Sequence, residues 1–223
     1  MIKILKNVLS LEQMSYINCC LEKGQFVSGK DTAGWAAQSV KNNQQWSSSA
    51  EGEAELSAIL TQLLASHPEF ASCTYAKRVA PFLFSESKDS GGYGNHVDDA
   101  LMGAESIMRS DLSCTVFLND PNDYVGGELI MNLGGTSLSY KLQKGSVVIY
   151  PSTTLHRVEP VTKGTRRVAV TWIESYIRST EHREILSDLD SARRNIMKAQ
   201  GKNAAFDQIS KAHANLLRLW SET

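Results

Sequence analysis

The sequence predicts a mainly β protein with flanking helices, its β-core an antiparallel sandwich or jelly roll. Residues 75–84, 114–118, 128–131, 136–142, 146–150 and 166–173 are short runs rich in Val, Ile, Tyr, Thr and Phe. Turn clusters divide them: Asp89-Ser90-Gly91-Gly92, Asn119-Asp120-Pro121-Asn122-Asp123, Gly126-Gly127 and Gly134-Gly135. Such spacing of strands and turns is the mark of an all-β sandwich or barrel. On both sides of this region apolar residues recur at helical rather than alternating spacing.

The N-terminal stretch 10–23 reads as a helix, because Ser10 and Gln13 form a capping box and Leu11, Met14, Ile17 and Leu21 share a face before Gly24. Residues 28–49, polar and rich in Gly, Ser, Asn and Gln with Trp35 and Trp46 among them, read as a long surface excursion that partly packs on the body. A second helix is expected over 51–66, carrying Leu56, Ile59, Leu60, Leu63 and Leu64 and stopped near Pro68. After Tyr176 the helical period returns with Ile185, Leu186, Leu189, Ile196 and Met197, then Ile209, Ala212, Leu216, Leu217 and Leu219 beyond a break at Gly201. Residues 1–175 are thus expected to form the main domain, its β-core about 75–175, and 176–223 a C-terminal helical extension.

The 223 residues are 42% hydrophobic and carry a net charge of −1, enough apolar content for a core and too little charge for a disordered chain or a strongly basic nucleic-acid binder. No apolar stretch approaches the roughly 18 residues of a membrane span, and polar residues interrupt the start MIKILKNVLSLEQMSY where a signal peptide is apolar. Cys19, Cys20, Cys73 and Cys114 lack C-x-x-C spacing and read as free thiols of a cytoplasmic protein.

There are five histidines, and three begin an H-x-[D/E] triplet: His67-Pro68-Glu69, His96-Val97-Asp98 and His182-Arg183-Glu184. In extended backbone residues i and i+2 point the same way and can take adjacent positions on one metal, whereas on a helix they diverge. His182-Arg183-Glu184 falls at the start of a helix and is expected on a solvated face. His67 closes a helix and reads as a capping residue. His96-Val97-Asp98 follows a glycine-rich loop at the edge of the β-region, and His156, after the strand at 146–150, supplies a third ligand. Two histidines and a carboxylate leave three positions open on an octahedral ion, the ligand set of non-haem Fe(II) oxygenases. The open positions suit a bidentate 2-oxo acid plus O2, and Arg166 can hold its distal carboxylate through a planar fork. A turn around Pro160, Lys163 and Gly164 places Arg166 beside His156 on a neighbouring strand, and alternation sends Arg167 to the other face unless the register slips by one. Trp172 reads as a buried core aromatic.

At Tyr93-Gly94-Asn95-His96-Val97-Asp98, Arg109-Ser110-Asp111-Leu112-Ser113, Phe117-Leu118-Asn119, Gly126-Gly127-Glu128-Leu129, the stretch 150–166 and Trp172-Ile173-Glu174-Ser175, the chain resembles bacterial PKHD-type hydroxylases, part of the prolyl 4-hydroxylase-like Fe(II)/2-oxoglutarate dioxygenases. The resemblance covers nearly the whole chain. It implies a double-stranded β-helix (jelly roll) core, iron ligands His96, Asp98 and His156, a 2-oxoglutarate anchor at Arg166, and L-ascorbate as auxiliary reductant. The Arg166-Arg167 doublet departs from a pattern of one arginine followed by an aliphatic residue.

The expected activity is hydroxylation of a peptidyl proline or a small molecule, using O2 and releasing succinate and CO2. Two other readings share the site: a jelly-roll domain that binds or senses a metal and a 2-oxo acid without turnover, and a metal-dependent hydrolase, against which Arg166 argues. No nucleic-acid or membrane partner is expected. Residues 28–49 and the C-terminal helices are where a substrate lid or a homodimer contact would lie.

Overall fold

The computed structural model describes residues 1–32, 37–103 and 106–222. The described residues form five α-helices: α1 (Leu11–Glu22), α2 (Ala50–Ser66), α3 (Pro68–Thr74), α4 (Thr180–Gln200) and α5 (Ala204–Trp220). The Ser10–Gln13 capping box forms as expected, and Met14, Ile17 and Leu21 turn the buried face of α1 inward. Pro68 opens a helix instead of only ending one: it sits in the first turn of α3, where its missing N–H costs no hydrogen bond. His67 caps both helices, closing α2 with its backbone N–H donating to Leu64 O and opening α3; its side chain makes no capping hydrogen bond, and among the described residues its buried Nδ1 has no partner.

The main sheet orders its strands as Lys3–Leu5, Val147–Pro151, Leu112–Phe117, Arg166–Ser175, Leu83–Ser87, Gln44–Ser47 and Gln25–Ser28, with Ala76–Val79 also paired to Arg166–Ser175. A smaller sheet runs Thr136–Tyr140, Leu129–Leu133, Leu155–Val158, Gly92–His96 and Lys41–Asn42. The strand pairings within both are antiparallel. Phe117, Leu129, Met131, Val148, Tyr150 and Val168 fill the space between the sheets. The opposite face of the main sheet, with Cys114, Val116, Ile149, Ala169 and Ile173, packs on α1, α2 and α3 through Ile17, Leu56, Leu60, Leu64 and Phe70. This is the jelly roll with flanking helices that the sequence predicts.

Several expectations need correction. His156 and Arg166, expected on neighbouring strands, lie in different sheets, His156 in the smaller and Arg166 in the main one, and meet across the space between them. Part of 28–49 is not a surface excursion: Lys41–Asn42 and Gln44–Ser47 add strands to both sheets, and Trp46 is buried with its indole N–H donating to Leu21 O. Trp35 lies outside the described residues. The run 75–84 is two strands separated around Pro81, which cannot donate to a ladder. His182-Arg183-Glu184 is solvated only in part: Glu184 is exposed, but His182 and Arg183 turn inward. Arg183 is 1% exposed and donates to Ile177 O, Arg178 O and Thr180 Oγ1, while the His182 ring stacks on Trp220. Arg183 thereby satisfies carbonyls just before α4 that no helical N–H reaches. No helix among the described residues is long and apolar enough to cross a membrane.

Candidate active site

His96 and His156 are paired directly across two strands of the smaller sheet. The ladder therefore fixes both rings on its inner face, with centroids 4.2 Å apart. Nδ1 of His96 donates to Gly94 O at 2.8 Å and Nδ1 of His156 to Thr154 O at 2.9 Å. A carbonyl only accepts, so each Nδ1 carries the proton and each Nε2 keeps a free lone pair. Those two nitrogens point at one carboxylate: His96 Nε2 lies 3.9 Å from Asp98 Oδ1, and His156 Nε2 lies 4.0 Å from Asp98 Oδ2. One ligand atom from each of the three residues falls within 4.8 Å of the others, spacing that a single ion can bridge. Burial, and then the neighbouring His156, push His96 down to about 4, which keeps its imidazole neutral and able to ligate near neutrality.

The register between the two histidine strands slips beyond His156, so Tyr93 turns the same way as His96, three residues on. Its ring stacks on His96 at 3.6 Å. Burial raises the Tyr93 hydroxyl to about 12 and lowers the Lys41 amine, which lines the same wall, to about 8.

Arg166 faces into the same cavity of about 340 Å³ as the triad. Its partner in register is Ser87, whereas Arg167 pairs with Glu86 on the other face, Nε to Oε2 at 2.8 Å. The alternation that separates the two arginines in the sequence is thus observed. Arg166 is 3% exposed, and burial lowers its pKa. Among the described residues its Nε makes no well-formed hydrogen bond, and the buried hydroxyl of Tyr124 has no partner beyond the neighbouring guanidinium. Gly127 brings the two together. Its φ is +70°, and a Cβ there would meet Arg166 Cδ at 2.8 Å and Tyr124 Cε2 at 3.0 Å. A buried guanidinium and a phenol with unused donors suit an incoming carboxylate.

Trp172 departs from its expected core position: it is half-buried and lines the cavity. It has the parity of Arg166, Val168 and Val170 on strand Arg166–Ser175, and that parity was the available sign. Val97, Leu101 and Met102 line the cavity as well, with Leu101 66% exposed. Lys41 and Ser113, neither of them anticipated, belong to the polar lining around the triad and Arg166.

A model of the 2OG-Fe(II) oxygenase superfamily matches residues 82–174. A PKHD-type hydroxylase of Colwellia psychrerythraea is 54% identical over 223 residues, all of both chains. One from Acaryochloris marina is 46% identical over 222 residues, again across the full length of both. The chain belongs to the PKHD-type hydroxylases. It is accordingly a 2-oxoglutarate-dependent non-haem iron dioxygenase. Among solved structures, a Pseudomonas putida prolyl-4-hydroxylase aligns with TM-score 0.54 at 18% identity, over 78% of this chain and 92% of that one. A Trichoplax adhaerens prolyl hydroxylase, in complex with a hypoxia inducible factor peptide, aligns with TM-score 0.56 at 14% identity, over 83% and 86%. These two show the shared fold. The donor set fits Fe(II), with two imidazoles and one carboxylate, and the orphaned Arg166 Nε fits 2-oxoglutarate.

Proposed function

We propose that this chain hydroxylates a C–H bond of its substrate while converting 2-oxoglutarate and O2 to succinate and CO2, with His96, Asp98 and His156 as iron ligands and Arg166 as anchor of the 2-oxoglutarate C5 carboxylate. The observation that carries this reading is the meeting of the triad with a buried, donor-rich arginine in one cavity. When bound, Fe(II) supplies the redox chemistry that activates O2.

The chain's own part is positioning and exclusion of water. The Gly94 and Thr154 carbonyls hold the two imidazoles in the tautomer that ligates. The Arg166 guanidinium offers a fork to the far carboxylate of the co-substrate, with the Tyr124 hydroxyl beside it. Leu129, Val158, Val168 and Val170 line the cavity and strengthen these charge interactions by keeping water out. Asp98 acts as a ligand, and no side chain has to remove a proton from the substrate.

L-ascorbate is included as auxiliary reductant on the strength of the family. The substrate is a peptidyl proline or a small molecule, entering past Val97, Leu101, Met102 and Trp172. The cytoplasm, a reducing compartment, suits the four free cysteines.

The test is anaerobic addition of Fe(II) and 2-oxoglutarate to the metal-free protein, watching the visible charge-transfer band. The band is expected with wild-type protein and absent with His96→Ala. Its absence with wild-type protein would overturn the reading, and a band that never leads to 2-oxoglutarate consumption in air with any offered peptide or small molecule would favour a sensing domain.

A further inference from the structure

The three triad residues are not held equally. His96 and His156 lie in paired strands, so the ladder sets their direction. Asp98 lies two residues beyond the end of strand Gly92–His96, in backbone with no assigned element. Its carboxylate, with Oδ1 nearest His96 Nε2 and Oδ2 nearest His156 Nε2, therefore needs another restraint if it is to be held before the two imidazoles. Ser113 provides it from the centre of the main sheet: its Oγ donates to Asp98 Oδ2 at 2.5 Å. A serine hydroxyl has a single proton. Ser113 spends it on Asp98, so in the 2.8 Å contact between Ser113 Oγ and Ser152 Oγ the donor is Ser152. Both serines are 3% exposed, and Ser113 belongs to strand Leu112–Phe117, paired on both sides, so the restraint rests on rigid backbone.

We propose that Ser113, backed by Ser152, is the positioning residue that occupies Asp98 Oδ2 and leaves Oδ1 for the metal. The inference rests on the metal reading of the triad. A hydroxyl donating to an anionic oxygen is a charge-assisted hydrogen bond, and its formation fixes the carboxylate rotamer before the metal arrives. Neutral serine suits this task, since a lysine or arginine there would compete with the dication for the same charge.

The experiment titrates metal-free protein with Co(II), whose ligand-field absorption reports ligation without turnover, for wild type, Ser113→Ala, Ser113→Thr and Ser152→Ala. Thermal denaturation of each metal-free protein runs alongside. Ser113→Ala is expected to bind Co(II) about 10- to 100-fold more weakly, while Ser113→Thr, which keeps the hydroxyl, stays within about threefold of wild type. Ser152→Ala falls between them. Co(II) affinity of Ser113→Ala within about threefold of wild type would overturn the proposal, as would equal losses in the alanine and threonine variants with unchanged Tm. If Ser113→Ala does not fold, Ser152→Ala decides: unchanged affinity there sinks the relay, and weakened affinity with an unchanged Tm supports it. A wild-type protein that takes up no Co(II) would remove the metal reading itself, whereas normal wild-type binding with an indifferent Ser113 would remove only its role.

Discussion

Replacing Arg166 by methionine should weaken 2-oxoglutarate binding and leave the metal-free protein as stable as before or more so. Among the described residues Arg166 makes no ion pair, and its Nε is buried without a partner. Burying such a cation costs several kcal/mol before any ligand is present, and an apolar chain of similar length, filling the space beside Phe117 and Tyr124, relieves about 1–4 kcal/mol of it. At roughly 2–4 °C per kcal/mol for a chain of this size, the Tm of the metal-free variant should hold or rise by several degrees. Binding responds in the opposite direction. Removing one partner of a buried charge pair costs about 2–5 kcal/mol, equivalent to a roughly 30- to 5,000-fold higher Kd. Anaerobic titration of the Fe(II) charge-transfer band with 2-oxoglutarate, paired with calorimetry of the metal-free proteins, reads both. Two results would refute the reasoning: 2-oxoglutarate binding within about threefold of wild type, or a Tm that falls by many degrees, which would make Arg166 a structural residue.

Gly127→Ala should act on the same site from the backbone. Its φ of +70° strains any side chain, and the new Cβ would press Arg166 Cδ and Tyr124 Cε2, so 2-oxoglutarate affinity and Tm should both fall, unlike in Arg166→Met. Arg183→Met should lower the Tm by about 4–16 °C, from roughly 2–4 kcal/mol at 2–4 °C each, because Ile177 O and Arg178 O lose their buried donor; an unchanged Tm would contradict this account of the start of α4. Asp190 gives a pH signature. Burial alone would raise its pKa, but hydrogen bonds from Arg194 and Arg193 outweigh that and hold it below the usual carboxylate value. A depressed folded-state pKa contributes stability that is present above the unfolded value of about 3.9 and lost as pH falls through the folded one. The Tm gap between wild type and Asp190→Asn should therefore be full at neutral pH and shrink below about pH 4; a gap that widens on acidification would contradict the assignment.

What could be read from the sequence was whatever depends on local periodicity. The α1 capping box, the runs of Val and Ile in the sheets and the separation of Arg166 from Arg167 follow from spacings of three, four and two residues. The approach of His96, Asp98 and His156 follows from the triplet together with a histidine on the strand that pairs with that of His96. Strands Lys41–Asn42 and Gln44–Ser47 did not announce themselves, because they are short and polar, and their extended form is imposed by neighbours at the sheet edges. Arg183 misled for a related reason: an arginine in a helical first turn is normally solvated, and only the carbonyls gathered around it in the fold draw it inside. Ser113, Thr115 and Phe117 share the inner face of one strand; Thr115, a polar side chain within the expected run 114–118, was a usable sign of the site, whereas Ser113 lay just outside that run.

The central claim is that both atoms of O2 are used, one of them on 2-oxoglutarate. Its most direct test is to supply isotopically labelled O2 to the protein with Fe(II), 2-oxoglutarate and ascorbate, then analyse the succinate by mass spectrometry. The account predicts succinate carrying one labelled oxygen atom, formed together with CO2 and lost in His156→Ala. Failure to consume 2-oxoglutarate, or succinate that arises without label, would contradict it.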